Sequence, residues 1–291
     1  MDIGYFGFNV GAFNSPDAIT RLLTTAEQAG FESMWTGEHV VLVDPQVPPS
    51  PVPPESTFVD TIASLAFAAA KTERIKIGSG ILLLAQRDPI VVAKELASID
   101  VLSKGRLLVG VGVGYVEGEF QALGIPYEER GPRVTEHIEV LREIWTNEQP
   151  SFEGRFTEFS GIQLRPLPVQ DPHPPIIVGG MSPPALRRAV AQGDGWYGFF
   201  QGLEQTEQML KALEEIAKQV ERPAALGELE ISITPPGPVD ADTVHRFEDL
   251  GVDRLVVMRG FEDMAGQHSQ AAEDACIEFI ESTARDLGLV S

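Results

Sequence analysis

Continuous apolar runs recur along the chain and alternate with amphipathic stretches. Runs such as RLLVGVGV and PIIVGG are apolar on both faces, which is typical of strands buried in a parallel sheet. Runs of this kind predict eight strands, beginning near Ile3, Ser33, Ile75, Leu107, Ile176, Gly195, Leu229 and Arg254.

The stretches between these runs carry the periodicity and the end signals of helices. In the first of them, Ser15 can cap the helix, Pro16 suits its first turn, Asp17 favours the positive end of its dipole, and Gly30 ends it. The same signals predict further helices over 59–70, 89–102, 133–145, 184–192, 204–220, 241–250 and 270–287.

Eight strand–helix units predict an α/β fold, a closed (β/α)8 TIM barrel. A doubly wound sheet also places helices on both faces of a parallel sheet, but it normally shows six strands and an early glycine fingerprint. A length of 291 residues fits one barrel, which needs about 250, although about 150 residues per domain would suggest two. We therefore predict one barrel domain over residues 1–291.

The fourth and fifth predicted strands are unusually far apart. The excess residues, 147–173, contain SFEGRFTEF, a hairpin-like pattern around Gly154. We interpret them as an insertion after the fourth helix. A domain boundary there is the alternative, but each half would then carry four strands and an unclosed edge.

The charge balance excludes whole classes of partner. The chain has 22 Lys and Arg against 43 Asp and Glu, a formal net charge of -21. Such a field repels nucleic acids and anionic membrane surfaces, so neither is expected as a partner. The first residues, MDIGYFGFNV, lack the features of a leader peptide, and no apolar stretch approaches the ~20 residues that span a bilayer, which predicts a cytoplasmic protein.

Thiol and metal chemistry find little support in the sequence. Cys276, the one cysteine, cannot form an internal disulfide and lies among helix formers, so we expect it to pack in a helix. The five histidines and single cysteine lack the spacing of a zinc or iron site. We therefore predict that the protein needs no metal.

Barrels bind ligands where the strands end, and Glu38 and His39 follow the second predicted strand. A histidine can donate or accept a proton near neutral pH, so His39 and Glu38 are our predicted catalytic residues. A loop histidine with a structural hydrogen bond is the alternative. A metal pair is disfavoured because adjacent residues of an extended backbone point apart.

Two glycine-rich segments also follow predicted strands. GVGVG, which ends at Gly114, lacks the last glycine of a dinucleotide fingerprint, so it indicates either close approach to a flat ligand or a sterically required turn. In PIIVGGMSPPALRRA, Gly179 and Gly180 end a strand and Ser182 begins a helix, an arrangement that favours phosphate binding; a plain capped turn is the alternative. The proline-rich segment 44–54 is expected to be a wall or lid on the substrate side rather than a partner-binding motif.

Taken together, these segments resemble the luciferase-like monooxygenase family of flavin- and deazaflavin-dependent oxidoreductases over essentially the whole chain. The matching pieces are AEQAGFESMWTGEH, TERIKIGSGILLLAQRDPIVVAKELASIDVLSKGRLLVGVGVGY, EFQALGIP and PPIIVGGMSPPALRRAVAQGDGWYG. The resemblance implies a TIM barrel that holds FMN or coenzyme F420 at its mouth, with the cofactor phosphate on Gly179, Gly180 and Ser182. It also implies a cis peptide bond between Gly80 and Ile81, in a bulge that supports the cofactor ring.

The W-x-x-E-H ending of the second strand resembles the F420-using branch of this family. That branch implies that Glu38 and His39 face the cofactor ring and that Val113 and Gly114 contact it. The F420-dependent sugar-phosphate dehydrogenases have a proton-accepting glutamate where this chain has Tyr115, which argues against sugar-phosphate oxidation. They have a cofactor-contacting threonine where Leu83 stands here, so that contact is not expected to transfer.

The predicted function is hydride transfer between coenzyme F420 and a small organic substrate. Three segments are expected to form loops at the barrel mouth: segment 44–54, the insertion 147–173 and the segment after Met258. Their apolar character favours an apolar substrate. One alternative is an FMNH2-dependent monooxygenase fed by a separate reductase, and another is a catalytically silent flavin-binding barrel. The resemblance also suggests a homodimer formed through barrel helices.

Overall fold

Eight parallel strands close into a barrel in the computed structural model, which describes residues 1–260 and 269–289. The strands of the described residues are β1 (Asp2–Phe6), β2 (Ser33–Thr36), β3 (Lys76–Ser79), β4 (Leu82–Leu83), β5 (Leu107–Gly112), β6 (Phe152–Glu153), β7 (Glu158–Phe159), β8 (Ile176–Gly179), β9 (Gly195–Phe199), β10 (Glu230–Thr234) and β11 (Arg254–Val257). The barrel order is β1, β2, β3, β5, β8, β9, β10, β11 and back to β1, with Ile77 opposite Leu107 where β3 meets β5. The predicted barrel is thus confirmed.

Helices cover the outside of the barrel. They are α1 (Pro16–Gln28), α2 (Thr61–Lys71), α3 (Pro89–Ser103), α4 (Glu117–Ala122), α5 (Arg130–Thr146), α6 (Pro183–Gln192), α7 (Leu203–Ala217), α8 (Ala241–Asp249) and α9 (Gln270–Leu287). Ser15 caps α1 through the N–H of Ala18, as its sequence signal indicates. Short α4 has no counterpart in the prediction. Helix α5 begins three residues earlier than expected because Pro132 is accommodated in its first turn.

Side chains alternate between the two faces of the barrel strands. One set packs under the helices in a large apolar core, in which Cys276 of α9 is buried as expected. The other set fills the barrel interior, where Phe6, Trp35, Leu108 and Tyr197 belong to one buried cluster. A barrel of eight strands has an interior just wide enough for side chains, so the ligand space is confined to the mouth.

The insertion 147–173 lies outside the barrel and contributes nothing to the mouth cavity described below, which corrects its prediction as a mouth loop. Its hairpin, β6 and β7, turns at Gly154 as expected and runs along α5, where the N–H of Arg155 donates to Glu136 at 2.7 Å. The later part of the insertion packs against the C-terminal part of α3, where the N–H of Val169 donates to Asp100 at 2.7 Å. Connections from helix to strand lie at the bottom of a barrel, so this insertion stabilises the scaffold. Of the third predicted mouth segment, after Met258, residues 261–268 are outside the described residues.

Arg254 closes the bottom of the barrel with an ion network. Its side chain is 1% exposed and binds both carboxylate oxygens of Glu32 at 2.9 Å, while its guanidinium lies 5.7 Å from the centre of the Trp35 ring. Burial disfavours the charge on Glu32, but the hydrogen bonds and charge of Arg254 outweigh it and lower the pKa of Glu32 to about 2. A buried charge of this kind stabilises the fold only while its partner is present.

We predict that Glu32→Gln lowers the free energy of unfolding near neutral pH and that the difference from wild type shrinks in acid. The folded pKa lies below the unfolded value of 4.5, so the contribution, at most about 3 kcal/mol, is complete above that value and is lost as pH falls towards 2. Urea unfolding between pH 7 and pH 3 measures it, with exposed Glu128→Gln as the matched control. A difference that stays constant with pH would contradict the proposed ion pair.

Candidate active site

A cavity of about 460 Å³ opens at the carboxyl ends of the barrel strands. This volume is within the range of about 300 to 1,000 Å³ that is usual for small-molecule and cofactor sites. Among the predicted site residues, its wall contains Glu38, His39, Gly80, Ile81, Gly114, Gly179 and Gly180. The remaining wall is almost entirely apolar or aromatic, from Phe6, Gly37, Pro51, Phe58, Leu83, Tyr115, Met181, Tyr197, Phe199 and Phe200.

Two predicted cofactor contacts are not on this wall. The side chain of Val113 packs against the core beneath the helices, because Leu108 faces the barrel interior and residues an odd number of positions away face outwards. Ser182 lies exposed beyond the wall, at the start of α6. Any contact of Val113 with a ligand in the cavity would have to come from its backbone.

An inward bulge after β3 shapes one side of the cavity. The Gly80–Ile81 peptide bond is cis, as the family resemblance implied, and the side chain of Ile81 faces β5 and β8. A Cβ on Gly112 would lie 1.9 Å from Cδ1 of Ile81, and one on Gly110 would lie 1.9 Å from the carbonyl oxygen of Ser79. Gly110 and Gly112 of GVGVG are therefore explained by the close approach of Ser79 and Ile81 rather than by a ligand. Gly114, in contrast, lines the cavity.

Glu38 holds the backbone that follows this bulge. Its Oε2 accepts the N–H of Leu83, and its Oε1 pairs with the guanidinium of Arg87, which also reaches Asp60 at 2.9 Å. Burial raises the pKa of Glu38, while the charge of Arg87 and the N–H of Leu83 oppose that increase. Because both carboxylate oxygens are engaged, this geometry favours a positioning role for Glu38, and its predicted catalytic role stays a prediction.

His39 pairs with a carboxylate that the sequence analysis did not single out. Its Nδ1 forms a hydrogen bond with Oε1 of Glu119 in α4, whose Oε2 accepts from Nε2 of Gln86 at 3.0 Å. The side chains of His39 and Glu119 are 7% and 1% exposed. Pairing through Nδ1 leaves Nε2 as the ring nitrogen without a hydrogen-bond partner among the described residues. The alternative of a purely structural histidine is weakened by its position on the cavity wall.

Two aromatic rings flank His39 edge-on. The ring centre of Phe58 is 5.0 Å from that of His39, and the ring centre of Tyr115 is 6.2 Å away. Partial burial, together with the negative charge of Glu119, raises the pKa of Tyr115 to about 12. Tyr115 therefore remains protonated at neutral pH and cannot replace, as a base, the glutamate of the sugar-phosphate dehydrogenases.

The predicted phosphate turn, residues 179–182, carries its free N–H groups in the turn rather than in the helix that follows. Pro183 and Pro184 occupy the first turn of α6 and have no N–H, and the N–H of Ala185 is bonded to the carbonyl of Ser182 at 2.8 Å. The helix therefore offers its dipole but few amides. The N–H groups of Met181 and Ser182 have no acceptor among the described residues, so donors for a phosphate come from the turn itself.

Side chains from neighbouring strand ends hold the site in place. Asn9, after β1, accepts the N–H of Gly37 at 2.8 Å and donates to its carbonyl at 3.0 Å, which fixes the backbone immediately before Glu38. The indole of Trp196 donates to the carbonyl of Gly180 at 2.8 Å. The proline-rich segment folds over the mouth and buries Val52 in the interior cluster, as its prediction as a wall indicates.

The described residues contain neither a metal-ligand cluster nor a membrane-spanning helix. In residues 1–260 and 269–289, no three His, Cys, Asp or Glu side chains come close enough to hold a metal ion. Metal independence stays a prediction. No helix of the same residues is both long and apolar enough to cross a bilayer.

Known proteins resemble this chain in sequence and in fold. The sequence model of the family described as luciferase-like monooxygenase matches residues 1–274. An uncharacterised protein of Mycobacterium tuberculosis is 29% identical over 282 residues, which are 94% of each chain. The FMNH2-dependent dimethylsulfone monooxygenase of Pseudomonas putida is 41% identical over 131 residues, 44% of this chain and 36% of that protein.

A solved structure extends the similarity over the whole fold. An F420-dependent secondary alcohol dehydrogenase, in complex with an F420–acetone adduct, superposes with a TM-score of 0.75 over 98% of this chain and 99% of that one. The sequence identity is 17%, so this likeness concerns the fold alone. Proteins similar to this chain thus use either a deazaflavin or a flavin.

We predict that Gly112→Ala destabilises the fold by about 1 to 3 kcal/mol, because its methyl group would overlap Ile81. Adding Ile81→Ala should remove most of this cost, so the two changes should be strongly non-additive in a double-mutant cycle. Gly237→Ala is the matched control, since a Cβ there meets nothing within 4 Å. Chemical unfolding measures all variants, and additive effects would contradict the proposed contact.

Proposed function

We propose that this chain, which belongs to the luciferase-like monooxygenase family, is an oxidoreductase that transfers a hydride between coenzyme F420 and an apolar organic substrate. The observation that carries this proposal is a buried histidine–carboxylate pair on the wall of an otherwise apolar cavity. The W-x-x-E-H ending of β2 favours the deazaflavin over FMN.

The residues present fit a flat, phosphorylated cofactor. Gly80, Gly114, Gly179 and Gly180 leave the wall without side chains at four places, so a planar ring can approach the backbone. Beside the last two glycines, the N–H groups of Met181 and Ser182 would receive the phosphate. When bound there, coenzyme F420 supplies a ring that accepts or donates a hydride.

The protein itself would orient the reactants, exclude water and provide a group that accepts or donates a proton. Ile81 would support the ring from one side, and Pro51, Phe58 and Phe200 would exclude water from the reacting groups. Oxidation of an alcohol releases a hydride and a proton. His39 Nε2 would take that proton from the hydroxyl, or return it in the opposite direction, while Nδ1 stays bound to Glu119.

The cavity favours a substrate without charge. Among the described residues, no Lys or Arg contributes to its wall, and the nearby carboxylates of Glu38 and Glu119 are already paired with Arg87 and His39. An anionic substrate would lose its hydration without gaining a partner, and that costs several kcal/mol as an order of magnitude. An apolar alcohol or ketone, with one oxygen for His39, matches the wall.

A second function is favoured by one specific observation. The segment that is 41% identical to the dimethylsulfone monooxygenase covers 44% of the chain, so an FMNH2-dependent monooxygenase is the main alternative. A separate reductase would then supply the reduced flavin. The paired His39 could serve either reaction, so the cofactor must be tested directly.

We predict that the purified protein binds F420 at least about tenfold more tightly than FMN, a difference of about 1.4 kcal/mol. Fluorescence or calorimetric titration with each cofactor measures this, followed by turnover assays with apolar secondary alcohols and their ketones. Tighter binding of FMN, with oxygenation once a flavin reductase is added, would support the monooxygenase. Binding of either cofactor without turnover across a broad screen would support a catalytically silent barrel.

We further predict that Ser182→Asp weakens phosphorylated cofactors about tenfold but leaves their dephosphorylated analogues unaffected. Aspartate is a favoured helix cap, so α6 should keep its stability while a negative charge is placed beside the free N–H groups. Ser182→Asn is the neutral control. Comparing FMN with riboflavin, and F420 with its dephosphorylated ring, separates the charge effect from misfolding. Equal weakening of the phosphorylated and the dephosphorylated ligand would contradict phosphate binding at this turn.

A further inference from the structure

We infer that Glu119, held by Gln86, is a positioning residue that fixes the ring of His39 with its proton on Nδ1 and with Nε2 free for the cavity. This inference rests on the proposed function for its effect on turnover. Its structural part, the state of the histidine ring, can be tested without any cofactor or substrate.

Burial limits the groups that can pair with Glu119. Glu119 is almost completely buried, and among the described residues its ion-pair partner is His39 rather than any Lys or Arg. A buried carboxylate is stabilised by hydrogen bonds, and this one has two partners, Nδ1 of His39 and the amide of Gln86, which donates at 3.0 Å. Ionised Glu119 only accepts hydrogen bonds, so the shared proton belongs to Nδ1.

The fold brings all three members together from neighbouring strand ends. His39 follows β2, Gln86 follows β4, and Glu119 lies in α4 after β5, so they extend from adjacent strand ends. Phe58 and Tyr115 enclose the His39 ring edge-on, which restricts its rotation. The side-chain oxygen of Gln86, Oε1, is buried without a hydrogen-bond partner. The hydrogen bond from Nε2 to Glu119 is therefore the contact that orients this side chain.

The functional consequence concerns which ring nitrogen meets the substrate. With the proton fixed on Nδ1, neutral His39 presents an unprotonated Nε2, the form that a base needs. When Nε2 takes a proton, the adjacent carboxylate stabilises the positive ring. The competing explanation is that the bond only staples α4 to the barrel, in which case the histidine tautomer and the chemical step should not depend on Glu119.

The test compares Glu119→Gln with Glu117→Gln, a change to an exposed glutamate in the same helix. Nitrogen-15 NMR of the histidine rings, recorded above the histidine pKa without cofactor, reports the tautomer, and the signal lost in His39→Gln assigns His39. We expect Nδ1–H in the wild type and in Glu117→Gln. Glu119→Gln should lose this single tautomer, because an amide can either donate to Nδ1 or accept from it.

Turnover provides the second readout. Glu119→Gln should lower kcat at least about tenfold, by no more than His39→Ala does, with a smaller change in KM. A wild-type His39 ring with its proton on Nε2 overturns the inference, and this measurement does not depend on the folding of a variant. An unchanged tautomer in Glu119→Gln also overturns it. A changed KM with unchanged kcat also overturns it. If the tautomer depends on Glu119 but F420 does not bind, the positioning role stands and the proposed function fails.

Discussion

The site depends on the limited space inside an eight-stranded barrel. A bulge that turns inwards from one strand must displace side chains of the facing strands, since the interior holds no spare volume. Here Ile81 occupies that volume, and the glycines at 110, 112 and 179 leave it free. The same bulge forms part of the cavity wall, so a change in the packing around Ile81 also changes the shape of the site.

The carboxylate of Glu38 links this bulge to the electrostatics of the mouth. By binding the N–H of Leu83 and the guanidinium of Arg87, it ties the strand after the bulge to the end of β2. Buried carboxylates recur in the described structure with a cation or donor beside each, as Glu32 with Arg254 and Glu119 with His39 show. In a chain of net charge -21, such pairing offsets the cost of burying negative charge.

The sequence predicted what depends on local pattern and missed what depends on distant contact. Eight apolar runs were enough for the barrel, and the glycines of the phosphate turn follow directly from the end of β8. The outward direction of the Val113 side chain follows from strand alternation, which the family resemblance did not take into account, and its contact with a cofactor stays a prediction. The insertion was misplaced because its apolar character was given more weight than its place after the fourth helix, which assigns it to the bottom of the barrel. Helix α4, only six residues long, has too little periodicity to be detected, and Glu119 was missed with it.

Glu38 and Glu119 show why proximity in sequence is a poor guide to catalytic partnership. Glu38 precedes His39 directly, but adjacent residues of an extended backbone point to opposite sides, and Glu38 turns to Arg87. The carboxylate that reaches His39 is 80 residues away, on the helix after β5. Parallel strands bring their carboxyl ends to one edge, so residues far apart in sequence can share a hydrogen bond while neighbours serve different purposes. One glutamate therefore holds the backbone of the site, and the other holds the ring of His39.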